Sequence, residues 1–466
     1  MSETTVRMQA VGDSASSSVK TVPGPRGLPV LGVGLSFLRD PTGYLEKMVS
    51  KYGRLFRLPL GKNGFVFLND ANDVEQVLRS DFENFEMSQL SEELLRPLLG
   101  RSMPVVSDHL YWEQLHAIML PMFTPKMLKM YFEQTLVAID EEVSHLEQLA
   151  KSGDAFSMYE FAREGVFAGL TRTLFTRGLE QSELRGLLDL FSRSNVYINA
   201  RNLSGASPFI SLSPSVRDGK RCLDKINERI YELIEYRKAN LSDEPEDMLD
   251  VLLAAKKEDG AKLTDIELRD NVMALLFGGQ ETTPGAIAWA MGLLAENPGK
   301  RDRMLAEIEE VVGEGLPTFM DLGKLQYCNN VLDEALRLYP AFTFLGREAK
   351  IDTEIGGFAI EKGTPLGFVA WTVHRDQRYW VEPDKFLPER HSKDAKKGRP
   401  KCALLSFGYG QRRCIGERVG RMESLLMLVR VCQKFKLEHV GGKLPKHKVQ
   451  MSIKPVDGMP MKVVAR

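Results

Sequence analysis

The strongest chemical signal in the sequence is the run Phe407-Gly408-Tyr409-Gly410-Gln411-Arg412-Arg413-Cys414-Ile415-Gly416. Gly408 and Gly410 permit tight backbone turns. Cys414 stands just before an apolar helical stretch, where unpaired amides and the helix dipole favour a thiolate. A thiolate held there is a soft metal ligand, whereas a cysteine in isolation is more often an inert core residue. A second group, Gly278-Gly279-Gln280-Glu281-Thr282-Thr283-Pro284, interrupts a long helical pattern. Each glycine costs roughly 1 kcal/mol relative to alanine in a helix. Pro284 cannot donate to the carbonyl of Gln280, so the spacing predicts a helix locally opened or kinked there. Glu281 and Thr282, an acid and an alcohol at such a break, are suited to relaying protons through water; the plain alternative is a glycine pair that admits a neighbouring helix. Glu334 and Arg337 share one face of a helix predicted over Asn330–Leu338, a pairing worth little if it is solvated. Trp112 and His116 lie one turn apart and point toward one partner, although core packing alone explains the tryptophan.

These groups need a mostly helical frame. Apolar residues recur at helical spacing over Lys126–Ala150, Phe156–Thr176, Arg217–Lys238, Asp265–Ala295 and Ile415–Gln433, and a short helix is predicted near Tyr44–Tyr52. Two strands, Leu55–Leu58 and Phe65–Leu68, flank a hairpin turn at Gly61-Lys62-Asn63-Gly64. Between Gly346 and Val373 the pattern breaks into short segments at Gly356-Gly357 and Lys362-Gly363, which predicts a small sheet. The fold class read from this is mainly α with a small β region.

Composition narrows the function. Of 466 residues, 62 are Lys or Arg and 63 Asp or Glu, a net charge of -1, so no global basic field marks nucleic acid as a partner. Locally the balance differs: between Ala395 and Met422, Lys396, Lys397, Arg399, Lys401, Arg412, Arg413, Arg418 and Arg421 are accompanied only by Glu417. Cys222, Cys328, Cys402, Cys414 and Cys432 form neither a CxxC pair nor an even, regular set, which argues against a disulfide framework and for a reducing cytoplasm. The N-terminal stretch has no apolar run of signal or membrane-anchor length. Residues 1–22 read as a disordered tail and residues 23–466 as one large domain, although length alone allows roughly three.

The cysteine run fits FxxGxRxCxG through Phe407, Gly410, Arg412, Cys414 and Gly416, and so resembles the signature of the cytochrome P-450 family. Glu334-Ala335-Leu336-Arg337 is similar to the family's ExxR pair. Phe386-Leu387-Pro388-Glu389-Arg390 is similar to its PERF-type segment, with Arg390 completing the network. Gly278–Thr282 resembles (A/G)Gx(D/E)T, Trp112 to His116 resembles WxxxR with histidine in place of arginine, and Pro23–Pro29 resembles the proline-rich leading segment. The motifs stand in the family's order.

The resemblance implies the mainly α, triangular P-450 fold as a single domain, with haem b between the Glu281 helix and the Cys414 helix. It implies Cys414 as iron ligand and Trp112, His116, Arg347 and Arg412 as partners of the haem carboxylates. Glu281 and Thr282 would deliver protons, and Glu334, Arg337 and Arg390 would serve as scaffold. Phe342, Thr343, Phe344 and Leu345 resemble the stretch that runs past the haem edge. Strand alternation counted from Arg347 turns Thr343 and Leu345 inward, unless a bulge at Gly346 reverses the parity and admits Phe342 and Phe344. Phe85–Ser107 and Asn195–Ser213 correspond to roof loops over a moderately apolar pocket. The implied activity is a monooxygenase that inserts one atom of O2 into an apolar or aromatic small molecule of fatty-acid, terpenoid, sterol or natural-product type. A cytoplasmic monomer without a membrane anchor is expected. Its electrons would come from a separate acidic donor, such as ferredoxin or flavodoxin, docking on the basic stretch. The rival readings are a peroxide-driven or non-redox haem-thiolate enzyme and a haem-binding carrier or sensor; neither has an evident need for the acid–alcohol pair.

Overall fold

The computed structural model describes residues 20–27, 33–60, 64–176, 179, 181–204, 213–242, 244–450 and 452–465. Most of the predicted N-terminal tail and residues 61–63 of the predicted hairpin turn therefore lie outside the described residues. Among those described, the helices in chain order are α1 (Gly34–Arg39), α2 (Pro41–Tyr52), α3 (Ala71–Glu75), α4 (Gln89–Leu99), α5 (His109–Met119), α6 (Pro125–Ser152), α7 (Met158–Leu174) and α8 (Gln181–Ser204). They continue with α9 (Pro214–Ala239), α10 (Met248–Ala254), α11 (Asp265–Glu296), α12 (Pro298–Val311), α13 (Gln326–Leu338), α14 (Ala370–Val373) and α15 (Glu417–Lys434). None is long and apolar enough to cross a membrane.

Local chemistry sets many of these boundaries. The Asp40 side chain accepts the amide of Gly43 at 3.0 Å, which starts α2 three residues before the predicted Tyr44. Thr264 and Glu267 close a capping box at the start of α11. Tertiary pairing sets others. Phe156 and Ser157, the first residues of the helix predicted over Phe156–Thr176, instead form with Ala155 a strand, β4, because Ala155–Ser157 pairs antiparallel with Pro460–Lys462; α7 begins only at Met158.

The remaining strands are β1 (Leu55–Leu58), β2 (Phe65–Leu68), β3 (Phe85–Glu86), β5 (Leu345–Ala349), β6 (Thr353–Ile355), β7 (Phe358–Ile360), β8 (Pro365–Phe368), β9 (Phe435–His439), β10 (His447–Val449), β11 (Ile453–Pro455) and β12 (Pro460–Ala465). The predicted small sheet is larger than its own stretch of chain: β5 and β8 join β1, β2 and β3 in a five-stranded sheet of order β1-β2-β8-β5-β3. β6 and β7 form a separate hairpin, turned by Gly356 and Gly357 at φ 58° and 85°, the left-handed pair that a tight hairpin demands.

α11 is the axis of the molecule. Nearly every side chain from Leu268 to Leu294 is buried, as befits a helix enclosed on all sides, and it packs on α7, α9, α13 and α15. The helix runs on through Gly278–Pro284, although Pro284 has no amide to bond the Gln280 carbonyl, so the predicted weak point stays within one helix. Packing on every side outweighs the weak local propensity. The roof segments also differ from expectation: about half of Phe85–Ser107 is helix α4, and Asn195–Ser204 continues α8, while residues 205–212 lie outside the described residues.

Candidate active site

The loop before α15 is closed by the amide of Cys414, which donates to the Phe407 carbonyl at 2.8 Å. Gly410, at φ 73°, brings this loop so close to the turn at Gln76–Ser80 that a Cβ there would lie 1.9 Å from the Leu78 carbonyl oxygen. Cys414 is exposed, whereas the other four cysteines are buried. Protein nevertheless surrounds it closely enough that burial raises the thiol pKa. The amides of Gly416 and Glu417 and the charge of Arg413 pull the other way and are outweighed. The helix-end amides thus favour a thiolate without securing it; a coordinated cation would do so, because coordination deprotonates a thiol.

The two glycines of α11 have different roles. A Cβ on Gly279 would lie 2.7 Å from Leu170 Cδ2, so this glycine admits α7, as the plain packing alternative had it. Gly278 has nothing within 4 Å and is exposed although the helix around it is buried; it borders open space. Gly278→Ala is therefore expected to leave the thermal midpoint unchanged or raised, by up to about 1 kcal/mol of helix propensity, while narrowing that space. Gly279→Ala is expected to lose about 1–3 kcal/mol to overpacking. Thermal unfolding of the pair checks both.

Thr282 Oγ1 donates to the Gly278 carbonyl at 2.7 Å. Glu281 is buried and paired with Lys454, with Ser452 Oγ donating to Oε1 at 3.2 Å and Asn195 Nδ2 to Oε2 at 3.3 Å. The neighbouring Thr283 reaches Glu423 on α15, whose fully buried carboxyl is pushed up to about 8 by burial.

Arg412 donates to the Val106 carbonyl at 2.8 Å and lies 4.7 Å over the Trp112 ring. Its Nε and Nη2 are buried without a partner, as is Nε of Arg347. Burial lowers the Arg347 pKa to about 9, the Arg412 charge adding to the effect, and burial lowers Arg412 to about 10. Two buried cations near one another, with donors left over and no acid in ion pair with either, ask for an anion. A group with two carboxylates and a soft-ligand metal, as haem b has, fits these residues and Cys414 together. His116 stands apart from them: it stacks on Trp112 at 5.1 Å between ring centroids and makes no hydrogen bond among the described residues. Burial lowers its pKa, so it carries no fixed charge in place of an arginine.

β5 pairs with β8 without a bulge, Gly346 opposite Gly367 and Arg347 opposite Leu366. The parity is thereby decided. Leu345 Cδ1 reaches 3.9 Å from the Cβ position of Gly408 in the cysteine loop, on the Arg347 side of the strand, and Thr343 is buried. Phe344 turns the other way, into an aromatic cluster with Phe65 and Phe67 at 5.9 and 5.5 Å. Phe342 remains 38% exposed outside the strand.

Glu334, Arg337 and Arg390 come together in a fully buried network. Glu334 accepts Arg337 Nε and Nη2, both at 2.8 Å, Arg390 Nε at 2.9 Å and the Leu387 amide at 2.9 Å. Two histidines that the sequence reading did not single out complete it. His391 Nε2 lies 2.8 Å from Glu334. His374 Nδ1 donates to the Arg337 carbonyl at 3.0 Å while its Nε2 accepts the Leu405 amide at 2.7 Å. The neutral ring thus ties the network to the segment that leads into the cysteine loop. The signal available in the sequence was proximity alone: His391 follows Arg390.

The basic stretch is less bare than its sequence. Asp333, remote in the chain, pairs with Arg421 at 2.6 Å and Lys396 at 3.2 Å, while Glu417 pairs with Arg413 at 2.6 Å. Lys397 pairs with Asp394 at 2.8 Å. Lys401 and Arg418 are exposed and make no ion pair among the described residues.

Known proteins resemble this chain along nearly its whole length. It is 27% identical over 452 residues to cyclooctatin synthase of Streptomyces melanosporofaciens, covering 96% of each chain. It is 28% identical over 427 residues to the cyclooctat-9-en-7-ol 5-monooxygenase of the same organism, 90% of each. With cytochrome P450 3A12 of Canis lupus familiaris it shares 27% identity over 464 residues, 94% of this chain and 92% of the relative. Among solved structures, the heme domain of cytochrome P450DA superposes with a TM-score of 0.87 at 26% identity, over 96% of this chain and 98% of that one. Retinoic acid-bound cyanobacterial CYP120A1 gives 0.86 at 25% identity, over 96% and 100%. A sequence profile described as Cytochrome P450 matches residues 22–459, and the chain therefore belongs to the cytochrome P450 family, as a haem b oxidoreductase of the monooxygenase type with the single-domain P450 fold.

Proposed function

We propose that this enzyme oxygenates an apolar molecule of terpenoid type, taking electrons from a separate acidic donor in the cytoplasm. The observation that carries the oxygenase reading is Cys414: among the described residues it is the one accessible cysteine, in the same loop as an arginine whose buried Nε and Nη2 have no hydrogen-bond partner. In this reading Cys414 ligates the iron, and Arg347, Arg412 and Trp112 hold the haem carboxylates. Thiolate-ligated haem supplies the activation of O2 and the cleavage of its O–O bond. Glu281 and Thr282 pass protons toward the oxygen side, and Thr343 and Leu345 shape the edge of the substrate space. Terpenoid chemistry is supported by the cyclooctatin names of two relatives and by the retinoic acid in one structural neighbour. For the donor, Lys401 and Arg418 are the exposed cations left unpaired on the basic stretch, a local field for an acidic protein.

The test is turnover of a cyclic diterpene alcohol with isotopically labelled O2 and reduced ferredoxin. One labelled oxygen in the product is expected, and turnover driven by peroxide alone would favour the peroxide-dependent rival. Thr282→Ala is expected to cut product per electron by about tenfold or more, with the balance released as peroxide, since general acid–base assistance is worth about 10²–10⁴ in rate. Unchanged coupling would remove Thr282 from the route.

A further inference from the structure

The residues that hold Glu281 belong to none of the sequence motifs. Ser452 and Lys454 are two positions apart along the extended chain entering β11, so both side chains emerge on one side and both meet Glu281 Oε1. Ile453 between them is pinned: its amide donates to the Ala341 carbonyl at 3.0 Å and its carbonyl accepts Trp289 Nε1 at 3.3 Å. The carboxylate is thus met by a rigid hairpin on one side and by Asn195 of α8 on the other. Glu281 is 4% exposed, while the Lys454 side chain keeps 14% of its surface accessible and lies 5.1 Å over the Tyr159 ring. The Lys454 side chain is thus the more accessible member of the pair.

We propose that Lys454 is the solvent-side member of the proton route, a residue that acts through Glu281. This rests on the relay reading of Glu281 and Thr282. In the step, an Nζ–H bond of Lys454 breaks and an O–H bond forms at Glu281; the electron pair left on nitrogen then takes a proton from water, and nothing is oxidised or reduced. The transfer is uphill, because an ammonium holds its proton more tightly than a carboxyl does.

Arginine separates handing on a proton from merely holding Glu281, because a guanidinium keeps the ion pair but does not deprotonate. The experiment follows O2 uptake and peroxide release by substrate-free holoenzyme with reduced ferredoxin, in H2O and in D2O. Thermal midpoint and the carbon monoxide spectrum serve as folding controls. Lys454→Met is expected to slow uptake about 10²-fold, within the range of general acid–base assistance, and to enlarge the solvent isotope effect. Lys454→Arg is expected to restore the midpoint but not the rate. Full recovery of the rate in Lys454→Arg would overturn the proposal, and so would wild-type uptake in Lys454→Met while Glu281→Gln is slow. Wild-type uptake in Glu281→Gln would instead overturn the relay reading on which it rests.

Discussion

Cys414→Ser is expected to remove the red-shifted band that reduced, carbon monoxide-treated haem-thiolate protein shows, and to lower product formation by about 10³-fold or more, equivalent to about 4 kcal/mol of barrier. The substitution is nearly isosteric, and the fold around it does not depend on sulfur: the loop is closed by the backbone bond from residue 414 to Phe407 at 2.8 Å. What changes is the donor. The amides of Gly416 and Glu417 are aimed at the side chain of residue 414, and a hydroxyl there is a harder and much less acidic ligand than a thiol. Folded protein that still gave the thiolate-type band would disprove the assignment of Cys414. The four other cysteines are buried and stand elsewhere in the chain, so none is placed to substitute for it.

Glu334→Gln is expected to destabilise the protein by about 3–5 kcal/mol, because it leaves buried arginines facing a neutral amide. Urea unfolding of the holoenzyme measures this directly. Burial alone would raise the Glu334 pKa; the bonds from Arg337 and His391 overcome it and bring the carboxyl down to about 2. Its folded pKa lies below its unfolded one, so its contribution is complete above about pH 4.5 and is lost as the pH falls toward 2. The shift corresponds to about 3 kcal/mol. His374 acts in the same direction: burial first, then the Arg337 charge, brings it down to about 3. The unfolded chain therefore takes up a proton below about pH 6.5 that the folded chain refuses. The His374 contribution is lost from pH 6.5 downward, but down to about pH 4.5 it is opposed by Glu423, whose raised pKa of about 8 adds stability as the pH falls. Below pH 4.5 stability should fall, and more gently in Glu334→Gln than in the wild type. An acid limb of the same steepness in both would show that Glu334 does not carry the linkage.

The contrast between these two sites explains what was readable beforehand. The cysteine loop is local: turn glycines, ligand and helix start lie within ten consecutive residues, and the same holds for Glu334 and Arg337, three apart on α13. Helix α11 was legible in extent, whereas the persistence of helix through its weak point at Gly278–Pro284 depends on packing against helices from distant parts of the chain. The parity at Phe342–Leu345 was open because strand alternation fixes a face only once the register with β8 is known. The basic stretch looked unpaired because Asp333, which neutralises Arg421 and Lys396, lies some sixty or more positions earlier in the sequence.

The sequence by itself determined the helical frame, the cysteine and its loop, the acid–alcohol pair and the family they resemble, since each rests on residue types within one or two helical turns. Only the tertiary structure decided which charges are paired and which are left over. It left Arg347 and Arg412 outside any ion pair among the described residues, linked His374 to the cysteine loop, and brought Lys454 to Glu281 across 173 positions of chain. The physical reason is that a buried charge is settled by whatever packs against it, and nothing in the spacing of residues along a chain records what a distant hairpin will bring.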